Sequence, residues 1–149
     1  MSEVYKKLTA DFSDEALSTD SSRGFDLTSI KSQYIVERLN EVFGVEGWKA
    51  DYIVQLKDET GIYMKCILIA NIEGGKEVIQ RSAFGGSPMK KNPGDTIKSA
   101  MTDSLSKAAS HMGIGNEVFK GKVKPPAKNR GTSSTDNAAA PIAKRSSRL

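Results

Sequence analysis

The feature that most constrains this chain is an alternation of period two that runs through the middle of the sequence and is twice interrupted by turn residues. Trp48, Ala50, Tyr52, Val54 and Leu56 alternate with Lys49, Asp51, Gln55 and Lys57, broken only by Ile53. Successive side chains of a strand point to opposite faces, so this pattern predicts a half-buried strand from Trp48 to about Leu56. Asp58-Glu59-Thr60-Gly61 then turns the chain. A second strand, Ile62–Ile72, places Ile62, Met64, Cys66, Leu68, Ala70 and Ile72 on one face. Its other face, with Tyr63, Lys65, Ile67, Ile69 and Asn71, is unusually apolar for a solvent face. Gly74-Gly75 is a strong hairpin signal. It leads into a third strand from Lys76 to about Ala83, which completes an antiparallel meander.

A helix is predicted on each side of the meander. The first starts near Thr28 or Ser29, either of which can accept a bond from a free backbone N–H. It carries Ile30, Tyr34, Leu39, Val42 and Phe43 at roughly helical spacing and stops at Gly44. The second runs from Thr96 to about Met112, capped by Asp95 and ended by Gly113. Its apolar stripe is Ile97, Ala100, Met101, Leu105, Ala108 and Met112. The order helix-β-β-β-helix indicates an α+β domain with both helices on one face of a three-stranded sheet. This domain is expected over residues 25–120. Residues 1–24 read as a flexible segment with a short helical turn around Asp14–Leu17. Residues 121–149, with Pro125-Pro126, a Gly-Thr-Ser-Ser stretch, an alanine run and a basic end, read as a disordered tail.

The net charge of +4 resembles a nucleic-acid signal until its distribution is considered. Residues 121–149 hold seven basic residues and one acidic residue, whereas residues 1–120 hold 15 basic and 17 acidic, a net −2. A nucleic-acid site in the domain must therefore be a local patch. One cysteine, Cys66, and one histidine, His111, leave no disulfide framework and no thiolate or His-rich metal cluster within one chain. No metal or cofactor is expected. No apolar run reaches the ~18 residues needed to span a bilayer, and the start of the chain lacks a signal-peptide pattern. A soluble, cytoplasmic protein is expected. Asp51, Asp58, Glu59 and Glu73 could in principle hold a metal for phosphodiester chemistry. They read instead as ordinary strand and turn surface, and no enzyme is expected.

The segment Phe84-Gly85-Gly86-Ser87-Pro88-Met89-Lys90-Lys91-Asn92-Pro93-Gly94 reads as a loop with the elements of a phosphate site. Two glycines allow close backbone approach to a ligand. Lys90, Lys91 and nearby Arg81 supply charge, and the helix start behind them favours anions. The plainer reading is a solvent loop kept soluble by its lysines. The spacing is not that of a nucleotide-binding P-loop, and Asp95 at the cap would compete with a phosphate. On the second helix Asp103, Lys107 and His111 share a face. Asp103–Lys107 reads either as a wet i,i+4 pair or as a lysine aimed at a nucleic-acid backbone by its carboxylate. Lys98 lies half a turn out of phase with Lys107. Small residues crowd this helix, which suggests close packing. Tyr34, Tyr63 and Phe84 are the aromatic residues best suited to stack on a base, although a core or interface position is the better account of each.

Three stretches together resemble the Rad fifty-two superfamily of single-strand annealing proteins, including its DdrA-like and phage Sak-like members. They are Tyr34-Ile-Val-Glu-Arg-Leu-Asn-Glu-Val-Phe-Gly-Val-Glu-Gly-Trp48, the Phe84-Gly85-Gly86 segment with its following lysines, and Asp95-Thr-Ile-Lys-Ser-Ala-Met-Thr-Asp-Ser-Leu-Ser-Lys-Ala-Ala-Ser-His-Met-Gly-Ile-Gly115. The resemblance covers about residues 25–120 in the same order. It implies a sheet crossed by helices, a homo-oligomeric ring or helical filament, and single-stranded DNA in a basic groove with backbone inward and bases exposed for pairing. It further implies a non-enzymatic role in recombination and repair, a bacterial or phage source with nucleoid association, and a host or phage recombination or replication partner for the tail. Lys107 matches a groove cation of the best-known eukaryotic member, while Ser106 and Ser110 stand at two others and Tyr34 at an arginine. Lys90 and Lys91 fall where the family carries lysines, and Lys98 matches another. The expected DNA contacts are therefore Lys107, Lys90, Lys91, Arg81 and Lys98, in a groove thinner in charge than the eukaryotic one.

Overall fold

The alternating segments become the strands of one antiparallel sheet in a computed structural model that describes residues 2–122. In chain order the elements are helix α1 (Glu3–Thr9), a 3-10 turn (Asp14–Ala16), strands β1 (Leu17–Asp20) and β2 (Leu27–Ile30), and helix α2 (Ser32–Phe43). Strands β3 (Trp48–Lys57), β4 (Gly61–Ile72) and β5 (Glu77–Pro88) follow, then helices α3 (Pro93–Ser110) and α4 (Asn116–Phe119). β1 and β2 form a separate hairpin, and the main sheet has the order β3-β4-β5 with both pairs antiparallel. The predicted α+β meander with flanking helices is the observed fold.

Packing explains the sidedness. α3 lies on β4 and β5, and α2 on β3 and β4. Ile35 and Leu39 of α2, Cys66, Leu68 and Ala70 of β4, and Leu105, Ala108 and Ala109 of α3 form one buried cluster. Ile62, Met64 and Ala100 form a second, smaller one. Burial of Cys66 pushes its thiol up to about 11, with the Asp51 carboxylate adding to the rise. Tyr52, paired with Cys66 across β3–β4, is pushed up to about 12 by burial. Both groups stay protonated at neutral pH.

Several sequence-based expectations need correction. In β3 the register shifts between Val54 and Leu56, so Val54 pairs with Met64 and Leu56 with Tyr63. A bulge of this kind sends Leu56 to the face opposite Trp48, Ala50 and Tyr52. The third strand does not end at Ala83, because Phe84–Pro88 continues the ladder down to Gly61. The predicted loop is thus largely strand. α2 starts at Ser32 rather than near Thr28 or Ser29, which pair with Thr19 and Ser18 in the hairpin instead. α3 is capped not by Asp95 but by Asn92, whose side chain accepts from the Gly94 N–H, with Pro93 in the first turn. The stripe of α3 is broader than predicted: Ala100, Leu105, Ala108 and Met112 are buried as expected, Thr96, Ser104 and Ala109 join them, Met101 is half-buried, and Ile97 alone of the predicted stripe is exposed.

Residues 1–24 carry more structure than the expected flexible segment. Leu8, Ala16 and Leu17 are buried, and the end of α1 is held by an unusual clasp. The guanidinium of Arg38 donates to the carbonyls of Lys7, Leu8, Ala10 and Asp11 and lies over the Phe12 ring, 4.1 Å from its centroid. Those carbonyls have no partner within so short a helix, and Arg38, only 9% exposed, satisfies them from α2. The predicted basic tail lies, from residue 123 onward, outside the described residues.

Candidate nucleic-acid interface

The helix that carries Lys107 sits closer to the sheet than side chains usually allow. A Cβ on Gly85 would lie 2.2 Å from the backbone nitrogen of Ser104, and one on Gly86 would lie 2.6 Å from Cδ1 of Tyr63. Gly85 points inward, opposite Met64, and Gly86 points outward, opposite Tyr63. The two glycines therefore serve packing, one against α3 and one beneath an aromatic ring. The close approach inferred from the sequence is correct, but its object is the protein itself.

At this contact the edge of β5 is closed by a side chain. The Gly86 N–H donates to Oδ2 of Asp103 at 2.9 Å, and Nζ of Lys107 donates to the same oxygen at 2.9 Å. Asp103 thus fastens helix to sheet and aims Lys107 in one stroke. The side chains of Lys107 and Asp103 are 48% and 39% exposed. In water such a pair contributes only a few tenths of a kcal/mol, so Lys107 is available to a competing anion.

The other candidates fall around this point. Nζ of Lys90 donates to Oγ of Ser99 at 2.8 Å, and its backbone N–H donates to Oγ1 of Thr96. Arg81 projects from β5 on the helix-bearing face, opposite Leu68, and lines a cavity of about 400 Å³ with Ser110 and His111. Ser99, Asp103, Lys107 and Ser110 are spaced by four, four and three residues, so they lie along one side of α3. Lys90, Lys107 and Arg81 are accordingly distributed along a single seam between α3 and β5. Lys91 is exposed in the turn before α3, beyond the start of that seam. Lys98 is exposed on another side of the helix and does not join it.

The aromatic candidates separate too. Tyr63 and Phe84 are 47% and 60% exposed on the helix-free face of the sheet. Tyr34 is half-buried on α2, where it lines a groove with Phe12 and Arg38. Sequence reasoning did not find the Asp103–Gly86 bond or the Lys90–Ser99 contact. Both depend on the strand continuing through Phe84-Gly85-Gly86, where the glycines had signalled a loop. Among the described residues no three His, Cys, Asp or Glu side chains group as metal ligands, and no helix is long and apolar enough to cross a membrane.

Two of the stretches that carry the family resemblance have plain structural work in this geometry. Nε1 of Trp48 donates to Oδ1 of Asn40 at 2.7 Å, which closes the turn from α2 into β3. Ile114, within the Gly-Ile-Gly segment after α3, is fully buried. Compared with known proteins, residues 1–134 match the model of the Rad52/22 family of double-strand break repair proteins. No curated protein matches the sequence.

Proposed function

Because the chain belongs to the Rad52/22 family of double-strand break repair proteins, we propose that it binds single-stranded DNA and anneals complementary strands, with phosphates following the α3–β5 seam. The observation that carries this reading is the distribution of Lys90, Lys107 and Arg81 along one seam of a domain whose bulk charge is negative. Lys107 is the central contact. Lys90 and Arg81 extend the path to either side, Lys91 adds charge at its start, and Lys98 serves at most a neighbouring path. Each subunit offers few cations, so useful affinity requires many copies acting together in a ring or filament. No step in this activity calls for a catalytic residue, metal or nucleotide. The DdrA-like or Sak-like affiliation, the cytoplasmic, nucleoid-associated location and a host or phage partner for the tail belong to the same reading.

A second reading has its own support in the net −2 of residues 1–120. In it the domain is a partner-binding module and the basic residues 121–149 alone contact nucleic acid; a related reading keeps the DNA contact in the domain, which then coats single strands or DNA ends without pairing them. Annealing of two complementary oligonucleotides labelled for energy transfer separates the readings. With and without residues 121–149, the protein is expected to accelerate pairing, and Lys107→Ala is expected to weaken binding of all sequences alike and lower the salt slope by about 1. Loss of all binding on tail removal would favour the second reading. No acceleration by either form would end the annealing claim.

A further inference from the structure

The seam lies at the edge of β5, and on the face behind it Phe84 of that strand and Tyr63 of β4 form an aromatic pair. Tyr63 is paired with Gly86, and Phe84 stands two residues before Gly86 on the same face, directly opposite Lys65. Diagonal neighbours of this kind are about 7–8 Å apart, within reach of aromatic side chains. The Tyr63 ring lies over Gly86, since both Cδ1 and Cε1 would be within 3 Å of a Cβ there, at 2.6 and 2.9 Å. The ring meets Gly86 along its Cδ1–Cε1 side, and the residue as a whole stays 47% exposed. No described element covers this face, and Ile53 and Leu56 of β3 extend the exposed apolar surface beside the pair.

We propose that Tyr63 and Phe84 form a stacking platform for unpaired bases of a single DNA strand whose phosphates follow the α3–β5 seam. This rests on the reading of the seam given above. Its geometric basis is Gly86, which binds Asp103, the partner of Lys107, at the strand edge and carries the Tyr63 ring on its outer face. A strand lying along that edge has a cation on one side and an aromatic surface one side chain away on the other. Aromatic rings are sequence-tolerant partners because every base has a π face. The charge is complementary as well. Lys65, opposite Phe84 and two residues from Tyr63 on the same face, supplies a cation beside the two rings.

The test uses the full chain with oligothymidylate, and with an oligonucleotide carrying a fluorescent base analogue, across a range of salt. Phe84→Ala is expected to weaken binding about tenfold, the scale of one lost base stack. The salt slope should not change, because no phosphate contact is lost. Phe84→Trp should restore affinity, and Tyr63→Leu, which keeps Gly86 covered, should abolish quenching of the base analogue. Unchanged affinity in Phe84→Ala overturns the platform. So does a loss accompanied by a smaller particle mass in light scattering, which would make this face a contact between copies of the chain. Absence of oligothymidylate binding by the unaltered protein would instead remove the seam reading itself.

Discussion

On the inner face of β4, Ile62, Met64, Cys66, Leu68 and Ala70 are no more than 4% exposed, whereas one residue along the same strand Tyr63 is 47% exposed and Ile67 and Ile69 are half-buried. The outer face is also largely apolar, with Tyr63, Ile67 and Ile69 beside Lys65 and Asn71. The two faces differ most in what lies on them: α2 and α3 cover the inner side, and no described element covers the outer. An antiparallel sheet tolerates one wet face, but that face is ordinarily polar. Burial here is decided by where helices dock, and apolar patterning alone does not assign it. An apolar face left uncovered by the described residues is surface for something else.

This contrast can be broken most forcefully from the inside. Leu68→Ala, at a fully buried site, is expected to cost about 2–5 kcal/mol in a denaturant titration, because a cavity forms between the sheet and α3. A cost below ~1 kcal/mol would mean that this face is much looser than its packing indicates. Gly85→Ala should follow with about 1–3 kcal/mol, since the added methyl meets helix backbone, which cannot rotate away. It should also reduce single-strand affinity, because α3 carries Lys107. Retained affinity alongside lost stability would detach the seam from the helix–sheet contact. The smallest effect belongs to the outer face. Val78→Ser, 61% exposed, should stay within ~0.5 kcal/mol. A larger loss that grows with protein concentration would show the outer face to be buried between subunits.

The meander was legible because strand periodicity is local, and each residue of β3 and β4 reports its own face. The bulge at β3 was not, since Leu56 continues the written alternation while the backbone changes register beneath it. Phe84-Gly85-Gly86-Ser87-Pro88 was misread for a related reason. Glycine and proline are the usual marks of a turn, but here two glycines accommodate a helix backbone and a tyrosine ring, and no local rule reports neighbours that distant in sequence. Lys107 and Lys90 were recognisable as cations, and the pairing of Lys107 with Asp103 followed from helical spacing. The bond from Asp103 to Gly86 depends on tertiary contact, as does the packing of residues 1–24. Short elements with few apolar side chains carry little signal, and their anchor, Arg38, lies about thirty residues away.

The clasp around the end of α1 has a consequence for the order in which the protein is made. A seven-residue helix is too short to persist alone in water, and its last carbonyls gain their partner only when Arg38 has been synthesised. At ~5–20 residues per second this leaves the α1 segment without its anchor for roughly 1.5 to 6 seconds after it is made. Assembly of the domain therefore proceeds backwards in this region: the α1 segment is stitched down by a later helix and remains open to chaperones and proteases until that stitch is made.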